Sequence, residues 1–316
     1  MHTSAVLEES APLTQHSFTA EIEAGLLQDC ATISPKFLYD ALGSHLFAAI
    51  TFLPEYYPTN TEKSILAQYR NQIAEVVGKH GILIDLGAGN CQKAASLFDS
   101  LKPSTYVAID FSIEYLNEAL NQLKSKHPEI AMHALDMDFS QHLTLPNSIP
   151  MQHRTFFYPG SSIGNFSGVE ALQLLKKIKS QILDGGLLIG MDLMKPDDVL
   201  IDAYDDPLKV TAAFNLNILR SINNHLNSDF DVSQFKHVVT INHRENRVEL
   251  YLEALDDVRV QWPNNVRTFK KGERIHTEDS HKYSIESIKQ LLRSAGFESI
   301  QIWTDAKKYF AVIYAK

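Results

Sequence analysis

Between about Thr61 and Met194, short apolar runs alternate with stretches whose apolar residues recur every three or four positions, and that alternation predicts a parallel α/β sheet. The first helix of the series has Thr59 and Glu62 at capping-box spacing. Its apolar face is Ile65, Leu66, Tyr69, Ile73, Val76 and Val77, and Gly81 ends it. Strands are predicted at 82–86, 106–109, 131–135, 154–158 and 186–191. A helix is predicted at 113–124, and another from an apolar side of Val169, Leu172, Leu175, Ile178 and Ile182.

The rhythm breaks after Met194. A helical segment over 210–226 and strand-like alternation at 237–242 and 247–252 predict a second, α+β subdomain inserted there. The α/β pattern resumes with a helix at 285–295 capped by Gly296, then closing strands at 299–303 and 309–314. The predicted division is 61–195 with 282–316 as one domain, 15–60 with 196–281 as the other, and a flexible N-terminus at 1–14. No internal repeat or low-complexity segment interrupts it.

Composition narrows the partners. A hydrophobic content of 44% over 316 residues is ample for a buried core, and a net charge of -9 without a long basic run argues against nucleic acid or an anionic membrane. Small ligands are the expected partners. The first residues carry Glu8 and Glu9 and no unbroken apolar stretch, so they do not read as a secretory signal, and no run reaches transmembrane length. Cys30 and Cys91 are too few for a disulfide framework; both are expected as free thiols in a cytoplasmic protein.

The sequence Asp85-Leu86-Gly87-Ala88-Gly89-Asn90 ends an apolar strand and opens a helix, where glycines let backbone N–H groups approach a ligand. A tight turn without a ligand has the same form. Asp110 ends the next strand about 21 residues past Gly89, where a carboxylate meets ribose hydroxyls. That spacing fits an adenosine-containing cofactor. Gln92 stands where a dinucleotide fingerprint carries its third glycine, which disfavours a pyrophosphate and so NAD, and favours S-adenosylmethionine. After the third strand, Asp138-Phe139 offers an acceptor for an adenine amino group and a ring to pack on the base, or equally a loop cap and a core residue.

The strings FLYDALGSHLF (37–47), LPEYYPT (53–59), YPGSSIGN (158–165) and TEDSHKY (277–283), with AYDD (203–206), TAAFN (211–215), DFD (229–231) and WTD (303–305), follow one another along nearly the whole chain. In them the protein resembles the histidine-specific N-α-methyltransferases of ergothioneine biosynthesis. The resemblance implies a Rossmann-like class I S-adenosylmethionine methyltransferase domain interrupted by a substrate domain, with the ligand cleft between them. It implies cofactor contacts at Gly87, Lys93, Asp110, Asp138 and Phe139, and Tyr39 near both ligands. Tyr56 and Asn165 are implied as the catalytic pair that holds the amine and carboxylate of a free amino acid, with Tyr204 as a further carboxylate ligand. Gly160 and Ser162 would line the same region, and Phe47 would form an aromatic wall. Glu278 and Ser280 would hydrogen-bond the imidazole nitrogens; on a strand both point to one face. The sequence departs from the family at Leu250, where methionine is expected beside the imidazole, and at Ser162, where threonine is usual. Both keep approximate size and polarity, so histidine stands as the substrate, with three methyl transfers to the trimethyl betaine.

Such a reaction is an in-line displacement at a sulfonium methyl and requires a neutral amine lone pair at near-attack distance, with neither metal nor covalent nucleophile. The expected partner is a small-molecule amino acid, and the expected assembly a monomer. Three other readings stand beside this one: the same chemistry on tryptophan, tyrosine or a modified histidine; an NAD-dependent oxidoreductase; and a non-catalytic S-adenosylmethionine-binding protein.

Overall fold

The computed structural model describes residues 15–110 and 113–316, with the backbone alone at 15–17, 114 and 115, so the N-terminal 1–14 expected to be flexible lies outside the described residues. Two compact units emerge: Thr61–Leu193 with Tyr283–Lys316, and the described residues up to Asn60 with Met194–Lys282. Along the chain run α1 (Gln15–Leu26), β1 (Ala31–Thr32), α2 (Ala41–Ile50), α3 (Tyr57–Gln68), α4 (Arg70–Val77), β2 (Ile82–Leu86), α5 (Gln92–Ala95), α6 (Phe98–Leu101), β3 (Thr105–Asp110), α7 (Ile113–Lys126), β4 (Ala131–Asp136), β5 (Arg154–Tyr158), α8 (Gly168–Ser180), β6 (Gly186–Asp192), α9 (Asp197–Tyr204), α10 (Val210–Leu226), β7 (Phe235–Asn242), β8 (Arg247–Ala254), β9 (Val258–Trp262), β10 (Asn265–Phe269), β11 (Arg274–His281), α11 (Ile285–Ser294), β12 (Ile300–Thr304) and β13 (Phe310–Ala315).

The first unit is built on a sheet of order β12-β13-β6-β5-β2-β3-β4, in which β2 to β6 are parallel and β13 is antiparallel to both its neighbours. Every residue of β2, β5 and β6 is buried, as a parallel sheet covered on both faces requires. Alternate residues feed two cores: Ile82, Ile84 and Leu86 join Phe156 and Ile189 on one face, while Leu83 joins Tyr106, Phe157 and Leu188 on the other. This is the Rossmann-like architecture. The strand order reverses between β2 and β5, and doubly wound sheets open a ligand crevice at the carboxyl ends of the strands at such a point.

Two predicted helices differ from the observed ones. The helix expected to begin at a Thr59–Glu62 capping box and run to Gly81 is two helices: α3 already starts at Tyr57, and α4 ends at Val77 with Gly78 at φ 87 as its C-cap. Glu62 therefore lies inside α3, where it cannot cap. In α8 the capping box is Ser167 with Glu170, which sets the helix phase so that Ala171, Leu174, Leu175 and Ile178 are buried. Val169 of the predicted stripe is then 68% exposed in the first turn, and Ile182 lies beyond the helix.

The second unit holds a four-stranded sheet of order β1-β11-β8-β7 and the β9–β10 hairpin. Ala31 and Thr32 of β1 pair in parallel with Ile275 and His276, so the N-terminal segment and the inserted segment share one sheet. Ile22, Leu26, Phe37, Ile50, Phe214, Ile218, Leu252 and Ile275 form its core. The ladder between β11 and β8 shifts between His276 and Glu278, a bulge whose extra residue, Thr277, is fully buried and donates its hydroxyl to the Leu250 carbonyl at 3.0 Å. Cys30 is exposed and Cys91 buried, and both are free thiols.

Candidate active site

In the first unit the turn after β2 is tied down by backbone bonds. Gly87 and Ala88 N–H donate to the Ile109 carbonyl at 2.9 and 3.1 Å, and Gly89 N–H donates to Asp110 Oδ2 at 2.9 Å. Gly87 and Gly89 adopt φ of 69 and 50, and a Cβ at either would meet nothing within 4 Å. The turn thus presents backbone to open space, and a carboxylate with two acceptor oxygens can brace it and still meet ribose hydroxyls. These residues fit an adenosine-bearing cofactor such as S-adenosylmethionine. Asp138 Oδ1 accepts from Ser140 N–H at 3.1 Å and from the Ser140 hydroxyl, so it caps its own loop, and Phe139 packs edge-on against Tyr158 with centroids 5.7 Å apart.

Glu62 is the residue that the sequence pattern misread. It is 1% exposed; Gly160 N–H donates to its two oxygens at 2.9 and 3.1 Å, and Lys93 Nζ lies 2.7 Å from Oε2. A Cβ at Gly190 of β6 would come within 2.1 Å of Glu62 Oε1, so only glycine admits this carboxylate. The Lys93 ammonium is thus paired inward and lies 3.1 Å from where a Cβ on Gly160 would sit. Gly190, a glycine between Ile189 and Met191 in the interior of β6, was the available signal for Glu62. Asp85, two residues before Gly87, accepts from Tyr106 O–H at 2.7 Å through Oδ2, while Oδ1 has no partner among the described residues. Burial outweighs the Tyr106 hydrogen bond and the Lys93 charge and pushes its carboxyl up to about 7. Burial likewise pushes the Cys91 thiol up to about 12, which leaves it inert.

Gly160, Ser162 and Asn165 follow β5. Ser162 is exposed and Asn165 half-buried in the short 3-10 turn Ser162–Asn165. The N-cap of α8 is Ser167, so Asn165 has no capping task there.

In the second unit the ring centroids of Tyr39 and Phe47 lie 5.6 Å apart, those of Phe47 and Tyr56 6.1 Å, and those of Tyr56 and Tyr204 6.2 Å. These four predicted residues form one aromatic run. Glu278 and Ser280 are both buried on β11, opposite Leu250 and Val248 of β8, while Asp279 between them turns to the other face and meets Arg247 at 3.0 Å and His276 at 2.8 Å. Leu250 is buried with Leu200, Ala203, Tyr204 and Val248. Tyr204 O–H and Ser280 Oγ are 2.8 Å apart, and Lys282 Nζ donates to both, at 2.8 and 2.7 Å. Lys282 was not singled out from the sequence.

Residues 18–316 match the model of the histidine-specific, S-adenosylmethionine-dependent methyltransferases. The chain belongs to this family. As a member it is an enzyme, and its methyl donor is S-adenosylmethionine. This methyltransferase is 35% identical to the histidine N-alpha-methyltransferase of Mycolicibacterium smegmatis, over 93% of each chain. It is also 35% identical to that of Mycobacterium tuberculosis, again over 93% of each chain. Ergothioneine biosynthesis protein 1 of Neurospora crassa is 30% identical over 88% of this chain and 32% of that larger protein. Among the described residues, no helix is long and apolar enough to cross a membrane.

Proposed function

We propose that the methyltransferase acts on the α-amino nitrogen of free L-histidine and does so three times, giving the trimethyl betaine hercynine. The observation that carries this reading is the pair Glu278 and Ser280, buried side by side on one face of β11 with Tyr204 in hydrogen-bond contact. A carboxylate and a hydroxyl two residues apart on a strand match the two nitrogens of one imidazole, and a phenol beside them matches a carboxylate. Glu278 and Ser280 take the imidazole. Tyr56 and Asn165 hold the amine and carboxylate, Tyr204 is a further carboxylate ligand, and Gly160 and Ser162 line the same region. Tyr39, Phe47 and Leu250 enclose the substrate with apolar and aromatic surface. Gly87, Lys93, Asp110, Asp138 and Phe139 hold the cofactor, which supplies an electrophilic sulfonium methyl when bound.

Tyr56 and Asn165 would hold the amine with its lone pair directed in line at that methyl. The amine must be neutral to attack, so each round releases one proton. Holding the nitrogen in line, in a setting that disfavours the ammonium form, supplies the acceleration. We read the enzyme as a cytoplasmic monomer, and its net charge of -9 supports the reading that it has no nucleic-acid or anionic-membrane partner.

The test is the intact mass of the product formed from histidine and S-adenosylmethionine. A product carrying three added methyls is expected; turnover of tryptophan or tyrosine with none of histidine would replace the substrate. Glu278→Ala should raise the KM for histidine by roughly 100-fold, the loss of a charged hydrogen bond in a buried site, and an unchanged histidine preference would refute the role of Glu278.

A further inference from the structure

We propose that Lys282 is the positioning residue of the substrate-recognition face, its ammonium fixing the hydroxyls of Tyr204 and Ser280 so that together they present one donor hydrogen outward. The proposal rests on the reading of Tyr204 and Ser280 as substrate ligands. Lys282 follows β11, is 4% exposed, and is anchored by its own N–H to the Asn246 carbonyl at 2.7 Å. Its Nζ, Tyr204 Oη and Ser280 Oγ form a closed triangle with edges of 2.8, 2.7 and 2.8 Å, and Nζ also lies 4.7 Å from the Tyr204 ring centroid.

An ammonium can only donate. Each hydroxyl oxygen therefore accepts from Lys282. One hydroxyl hydrogen closes the third edge, and the other is turned out of the triangle. The adjacent cation makes that hydrogen a stronger donor, suited to an acceptor such as an amino-acid carboxylate or a bare imidazole nitrogen. Without the ammonium, the hydroxyl that does not close the third edge could turn its hydrogen into the vacated position and its lone pairs outward, and would then meet a carboxylate with the wrong sign. Tyr204 and Ser280 lie 76 positions apart in sequence, and this triangle is what couples them.

Lys282→Met keeps the length and removes the donors. The expected result is a KM for histidine raised about 10-fold or more, with kcat within about 3-fold of wild type and S-adenosylmethionine binding unchanged, as fits the loss of a charge-assisted hydrogen bond that orients substrate. Lys282→Arg should recover part of that loss. An unchanged histidine KM in a variant that melts like wild type would overturn the proposal. So would a KM and a cofactor Kd that rise together as the melting temperature falls, the mark of a merely structural residue. If Lys282→Met does not fold, Tyr204→Phe and Ser280→Ala keep the lysine and remove one acceptor each. Their combined loss should then be smaller than the two single losses together, and additive losses would overturn the coupling. A wild-type enzyme that binds S-adenosylmethionine but shows no calorimetric binding of histidine would instead overturn the substrate reading.

Discussion

Asp85 in the first unit and Glu249 in the second are both buried carboxylates, and their protonation equilibria are shifted in opposite directions. Asp85 sits on β2, 1% exposed, with one hydroxyl donor on Oδ2 and none on Oδ1 among the described residues; its carboxyl is pushed up to about 7. Glu249 sits on β8, 8% exposed, and burial pushes its carboxyl up as well, but hydrogen bonds from Asn242 and Tyr251 at 2.8 Å and from the Arg247 guanidinium at 2.8 Å outweigh that and hold it at about 2. Asp85 is the deeper of the two and has the single donor, whereas Glu249 lies nearer the surface with three donors, one of them cationic; depth and donors together set the sign. The cause lies in the sheets. β2 runs among parallel strands whose neighbours offer mainly apolar side chains, whereas β8 has an antiparallel partner that places Asn242 and Thr240 of β7 within reach.

The largest test of this contrast is Asp85→Asn. A carboxyl raised in the folded state from 3.8 to about 7 contributes stability that is fully present below 3.8 and lost as pH rises through about 7, an effect on the order of 4 kcal/mol. The asparagine variant should lack that decline in urea unfolding between about pH 4 and 8. A decline as steep as that of wild type would show that burial does not govern Asp85. Next is Glu249→Gln. A carboxyl lowered from 4.5 to about 2 contributes stability present above 4.5 and lost as pH falls through about 2, worth about 3 kcal/mol. The variant should melt lower at neutral pH and lose less on acidification, and thermal melts from pH 7 to 2 would expose a wrong sign. The smallest effect is expected at Glu62→Gln, which keeps an acceptor for Gly160 N–H but uncouples Lys93. S-adenosylmethionine should bind about 10-fold more weakly by calorimetry, while the preference for histidine over other amino acids holds. A lost histidine preference with intact cofactor affinity would place Glu62 on the wrong side of the comparison.

The two units were unequally legible. β2 and β5 begin and end where the predicted strands 82–86 and 154–158 do, because strands buried on both faces are predominantly apolar, with only Asp85, Arg154 and Thr155 as exceptions among these ten residues. α10 likewise matches 210–226. The cofactor turn is readable because Gly87, Gly89 and the strand before them are neighbours in sequence. Glu62 misled, since its spacing from Thr59 satisfies a local rule that the earlier start of α3 annuls. On β11 the alternation put Glu278 and Ser280 on a common face, yet the bulge between His276 and Glu278 decides their pairing with β8, and no feature of the string TEDSHKY announces it.

From the sequence alone came the alternation of strands and helices, the break after Met194, the glycine turn and the family resemblance, all carried by backbone periodicity or by runs of adjacent residues. Only the tertiary structure decided that Glu62 meets Gly160, 98 positions away, and that Lys282 meets Tyr204, 78 positions away. Those partnerships depend on how helices and strands pack and in which register they pair. A hydrogen bond is formed by atoms about 3 Å apart in space, and spacing along the chain does not encode that distance.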